Sequence, residues 1–244
     1  MIFNKHRTTK VQYFINTEIY SMDFGKSFFP NIEKYSSNLG TKCPSVQSIK
    51  NRIYKVLSPL TIDVELVNND DKLTYNYNFD DKTFLANENN HLLLDRLLMT
   101  EKTINDFRHF QFFTPYTFIT DDKDLEIMTM PYSNNSNNVE FIAGSFKPYS
   151  WLRNINGSWK LIDNKKNGKI QFNLRDPIFL ITFNKPVELE YVIPNKKVID
   201  FYNESKNIVN VRNNLKDIYK TVESRREKRL IDKSYRKFFR WWIF

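Results

Sequence analysis

Three histidines (His6, His91, His109), one thiol (Cys43) and a short acidic run (Asp121-Asp122-Lys123-Asp124) are the residues best suited to chemistry in this 244-residue chain. A metal centre needs His, Cys, Asp or Glu gathered at ligand spacing. His91 and Asp95 stand one helical turn apart and could share a face, with His109 joining them in space. Neither HxD nor HExxH spacing occurs, which speaks against cupin-type iron sites and zinc proteases. A partly buried histidine with a hydrogen-bond partner is therefore the expectation, and no cofactor is expected. Cys43 as a nucleophile would need a nearby base and a lowered pKa. Its Cys43-Pro44 context offers neither, so a buried thiol is expected. The acidic run could offer oxygen ligands to Ca²⁺ but lacks the EF-hand glycine and distal Glu, so it reads as a turn. The GxSxG and Walker A patterns are absent, and no catalytic residue is assigned.

Aromatic side chains offer a different chemistry. Phe146-Lys147-Pro148-Tyr149-Ser150-Trp151, with Trp159 beyond, could form a stacking platform for sugars or unstacked bases. The competing reading is core, with Tyr149 or Trp151 the candidates for exposure. Charge points elsewhere. The formal net charge is +9, and residues 195–244 hold 14 Lys and Arg against 6 Asp and Glu, a balance of +8. The other 23 basic and 22 acidic residues nearly cancel. A basic segment of this kind suits nucleic acid, an anionic surface or an acidic protein. It ends in Phe238-Phe239-Arg240-Trp241-Trp242-Ile243-Phe244, which is too apolar to rest in water and must dock somewhere.

The elements that must position these residues are mostly strands. Leu60–Leu66 and Leu73–Phe79 alternate apolar and polar residues around Asn68-Asn69-Asp70-Asp71, which predicts a hairpin with Ile62, Val64 and Leu66 inward and Asp63 and Glu65 outward. Further strands are expected at 10–15, 52–57, 125–130, 159–162, 170–174, 178–183 and 187–192, and a polar loop at 133–138. Phe110–Ile119 contains Pro115, which cannot donate to a ladder and so predicts an edge strand or a bulge. Asn90–Met99 carries a helix-like Leu-rich run, part of which could equally be a buried loop. Strands at this spacing predict a mainly β body over 1–194, an antiparallel β-sandwich or open barrel. After Pro194 the period changes to 3.6, and one or two helices are expected within a basic C-terminal arm, 195–244. The stretch Glu223–Arg229 is polar throughout and predicts a solvated or partner-paired surface. The partner-binding candidates are Arg225, Arg226, Lys228, Arg229, Phe238, Phe239, Trp241, Trp242 and Phe244. No run of 18 apolar residues predicts a transmembrane helix, and the N-terminus lacks the apolar core of a signal peptide.

Several segments carry a resemblance: Lys42-Cys43-Pro44-Ser45-Val46, Asn51–Pro59, Phe112-Phe113-Thr114-Pro115-Tyr116, Phe141–Phe146, Trp151-Leu152-Arg153 and Arg175-Asp176-Pro177-Ile178. Together they resemble a family of uncharacterised proteins of marine tailed phages and some bacteria, in which a charged C-terminal helix ends near Trp, as at Trp241 and Trp242 here. The resemblance covers about residues 40–244. It implies a viral source and a β-rich body, and it carries no activity, cofactor or catalytic residue. The expected function is a non-enzymatic phage structural or accessory protein, in the virion or host cytoplasm, that binds viral or self subunits through its arm. A glycan- or nucleic-acid-binding module and an enzyme of unrecognised type are the alternatives.

Overall fold

The computed structural model describes residues 8–15, 32–35, 49, 51–58, 61–69, 72–78, 98–102, 108–132, 136–163, 165–209 and 214–229. The protein is mainly β; the described residues form three sheets followed by two C-terminal helices. The first sheet runs β10 (Val139–Phe141), β12 (Asn154–Leu161), β7 (Arg108–Ile119), β1 (Thr9–Ile15) and β15 (Val187–Tyr191), with β6 (Leu98–Lys102) beside the first half of β7. The second runs β11 (Gly144–Phe146), β8 (Ile127–Pro131), β14 (Pro177–Phe183), β3 (Ile53–Leu57) and β2 (Ile32–Lys34). The third runs β5 (Lys72–Asn78), β4 (Ile62–Asn69), β13 (Gly168–Phe172) and β9 (Ser136–Asn137). Pairings among the described residues are antiparallel except β1 on β15, which is parallel.

The period-2 reading holds at β4. Val64 and Leu66 are fully buried and Glu65 is exposed, while Asp63 is half-buried and paired with Lys169 at 2.9 Å. The Ile62 side chain lies outside the described residues. Asn69 pairs with Lys72 at the end of the β4–β5 ladder, which closes the expected hairpin. Pro115 sits in a central strand rather than at an edge. It is accommodated by a bulge, because Thr117 and Phe113 pair with Asn154 and Asn156, so three β7 residues face one. On its other edge β7 passes from β6, ending at Phe112, to β1, starting at Tyr116, so no ladder bond is asked of the proline there. Most of Asn90–Met99 lies outside the described residues. Its last two residues, Leu98 and Met99, open β6, where the ladder with Phe112 and Gln111 overrides helix propensity.

Part of the expected polar loop at 133–138 is also strand. Ser136 and Asn137 pair with Ile170 and Lys169, and Asn138 then turns with φ at 57°. Its side chain closes the next loop, with Oδ1 accepting from Asp163 N–H and Nδ2 donating to the Asp163 and Lys166 carbonyls, all at 2.9 Å.

Aromatic rings join the sheets. Phe118 meets Phe183 at 6.1 Å and Phe141 meets Phe179 at 5.8 Å between the first and second sheets, and Trp159 meets Phe172 at 6.0 Å between the first and third. Each fully buried ring contributes roughly 1.5–3 kcal/mol. The helices belong to the same core. α1 (Lys196–Val209) starts at Asn195, whose Oδ1 accepts from Val198 N–H at 3.1 Å. It buries Val198, Phe201, Tyr202 and Ile208. α2 (Leu215–Arg229) starts at Asn214, whose Oδ1 accepts from Asp217 N–H at 2.9 Å while its Nδ2 donates back to the Asp217 carboxylate at 2.8 Å.

Candidate functional site

The site is the junction where α2 is pinned to the sheets. Ile218, Val222 and Arg226 follow one another at four-residue steps, so they share one helix face, and all three are buried. Arg226 is fully buried and lands between the end of β7 and the segment after β11. Its Nη1 donates to the Tyr149 carbonyl at 3.0 Å and its Nη2 to the Thr120 carbonyl at 2.5 Å. Asp121 Oδ1 lies 3.4 Å from Nη2 and supplies the opposing charge. The guanidinium also stacks 4.1 Å from the Tyr149 ring centroid, and Lys123 Nζ lies 5.2 Å from the same ring. Nearby, Ser150 Oγ donates to the Glu223 carboxylate, and Lys147 N–H donates to Tyr219 Oη at 3.3 Å.

At Arg226 the expectation of a solvated or partner-paired surface along Glu223–Arg229 is overturned, because that side chain is fully buried against its own body. Its planar fork reaches two backbone carbonyls and the Asp121 carboxylate, and this offsets the cost of burying its charge. Arg225 is exposed, as expected of a surface cation. Lys228 and Arg229 lie in α2, but their side chains are outside the described residues, as are Phe238, Phe239, Trp241, Trp242 and Phe244. The signal for Arg226 was present in the sequence as the next four-residue step after Ile218 and Val222, and the charge of the side chain concealed it.

The acidic turn is a structural joint. Asp122 accepts from Lys185 Nζ at 2.8 Å and from Thr9 Oγ1 at 3.3 Å, and its Oδ1 accepts from Asp124 N–H at 3.0 Å. Burial works to raise the Asp122 carboxyl, but Lys185 and the Asp124 N–H prevail and hold it below the usual range. Beside the turn is a half-open cavity of about 320 Å³, lined by Thr9, Gln12, Ile119, Thr120 and Asp121.

The aromatic segment is core. Phe146, Tyr149, Trp151 and Trp159 are all buried, so neither Tyr149 nor Trp151 is the exposed ring of a platform. Arg153 packs among them, with Cζ 4.3 Å from the Trp151 ring and 5.8 Å from the Phe146 ring. Its Nε donates to the Asn154 carbonyl at 3.1 Å. With the Asn156 amide turned to satisfy both of its ends, Arg153 Nη2 donates to the amide oxygen at 3.2 Å. Burial pushes the Arg153 pKa down, against the opposing pull of Tyr219 and Tyr202. His109 is buried, and its Nε2 is 2.8 Å from Gln111 Nε2, the hydrogen-bonded histidine expected. His6, His91 and Cys43 lie outside the described residues. Among the described residues no three His, Cys, Asp or Glu side chains gather around a metal position, and no helix is long and apolar enough to cross a membrane.

Comparisons with protein-family models, curated proteins and solved structures find no match to this chain.

Proposed function

We propose that the chain is a non-enzymatic structural or accessory protein of a phage, whose β body presents a basic helical arm to a viral or self subunit. The observation that carries this reading is the buried Arg226 pin. It holds the root of the arm against the body by two carbonyl bonds and a ring stack. From that fixed root continue Lys228 and Arg229, and then 230–244 with Phe238, Phe239, Trp241, Trp242 and Phe244. A rooted arm loses less orientational freedom on binding than a free tail, which favours association. The exposed Lys216, Lys220 and Arg225 of α2 add long-range attraction to an acidic surface. The virion or host cytoplasm is the setting that goes with this reading.

Deleting 230–244 from the full chain tests it, with melting temperature, oligomeric mass and presence in purified virions all measured. Lost association at an unchanged melting temperature supports the proposal. A lowered melting temperature with association intact sinks it, because the aromatic end then serves only its own body. Nucleic acid is the second reading, favoured by the same exposed cations of α2. Binding to it would weaken steeply with salt, whereas aromatic docking on a protein would not.

A further inference from the structure

We propose that Arg153 and the indole N–H of Trp151 form a binding site for a small oxyanion, a carboxylate or a phosphate. Two independent observations carry this. The first is charge. Arg226, Lys185, Lys169 and Lys160 each have a carboxylate within 4 Å, namely Asp121, Asp122, Asp63 and Glu140. Arg153 is desolvated among Trp151, Phe146 and Tyr219, yet it has no carboxylate partner among the described residues. A desolvated cation without a counter-charge is costly. Its bonds to Asn154 and Asn156 use two of the five guanidinium donors, which leaves an Nη1/Nη2 edge with the geometry for an oxyanion.

The second observation is the indole. Trp151 is 9% exposed, and its Nε1–H has no acceptor among the described residues. Buried indole N–H groups ordinarily find a partner. The guanidinium is stacked 4.3 Å from that same ring, so one anion can answer both the missing charge and the missing acceptor. Arg153 is half-buried and flanked by the half-buried Tyr219 of α2, whose ring lies 6.4 Å from that of Trp151. The site draws on no residue of 230–244, and the proposal stands whether or not the arm binds a partner.

The test titrates the full chain with inorganic phosphate and, separately, with acetate, at constant ionic strength balanced with chloride. A saturable rise in melting temperature of about 3 °C near tenfold excess over Kd is expected. A rise with phosphate alone identifies a phosphate site, and a rise with acetate alone identifies a carboxylate site; either supports the proposal. Arg153→Gln should abolish the rise. Trp151→Phe keeps an aromatic ring for the guanidinium, removes the N–H donor along with part of the indole, and should weaken binding about tenfold. No saturable rise with either anion overturns the proposal. So does an equal rise in Arg153→Gln. If Arg153→Gln does not fold, equal affinity in Trp151→Phe and the unaltered chain overturns it.

Discussion

The guanidinium of Arg226 lies 4.1 Å from the ring centroid of Tyr149 and donates to the carbonyl of that same residue at 3.0 Å. One side chain thus grips both the backbone and the ring of a residue 77 positions away in sequence. Replacing Arg226 by Met keeps the apolar stem but leaves the Tyr149 and Thr120 carbonyls without their donor. Arg226→Met should cost about 2–4 kcal/mol in urea unfolding. Arg225→Met removes the same charge from the exposed neighbouring position and should stay within about 0.5 kcal/mol. Equal losses from the two variants would show that Arg226 acts only through net charge.

Tyr54 guards the edge of the first sheet. Its hydroxyl donates to the Val187 carbonyl at 2.9 Å, so a side chain satisfies part of the outer edge of β15 where a neighbouring strand would. Tyr54→Phe should cost about 1–3 kcal/mol and raise the aggregation rate at high protein concentration, read by light scattering. A variant as stable and as monodisperse as the parent would remove this role.

Gly157 lies where the first sheet meets the second. A Cβ there would fall 2.5 Å from Trp159 Cη2 and 3.0 Å from Phe179 Cδ1. Both rings are buried, so neither can swing into solvent. Gly157→Ala should destabilise by about 1–3 kcal/mol through overpacking. Thermal unfolding that matches the parent would mean that the rings have room to shift.

Asp122 sets an acid limit. Its carboxyl is held below the usual range, so the unfolded chain binds its proton more readily than the folded one between the two pKa values. The stabilisation is present above about pH 4 and is lost as the pH falls through the folded value. Asp122→Asn should therefore be less stable than the parent at neutral pH, by about 1 kcal/mol or less. The two curves should converge as the solution is acidified toward pH 2. A gap that does not change with pH would point to lost packing or hydrogen bonds instead of charge.

Local pattern determined much of this protein before any fold was considered. Alternation placed Val64 and Leu66 inside and Glu65 outside, because successive side chains on a strand point to opposite faces. The change to a 3.6 period after Pro194 pointed to one or two helices, and the structure has two there, each capped by an Asn that the periodicity alone did not mark. The acidic turn was also legible, and at Pro115 the sequence left an edge strand or a bulge, of which the fold uses the bulge, since each follows from the bonds that a single residue type can or cannot make. Tertiary structure decided the remainder. The sequence contains nothing local that lays β1 parallel to β15, with Thr9 opposite Val187, since pairing partners so distant in the chain are chosen by which edges the other strands leave open. Whether Tyr149 and Trp151 face solvent or core depended on α2 arriving over them. The burial of Arg226 was decided in the same way. A cation is stable inside only where the fold brings carbonyls, a ring and a carboxylate to it, and those come from Thr120, Tyr149 and Asp121, which lie between 77 and 106 residues away.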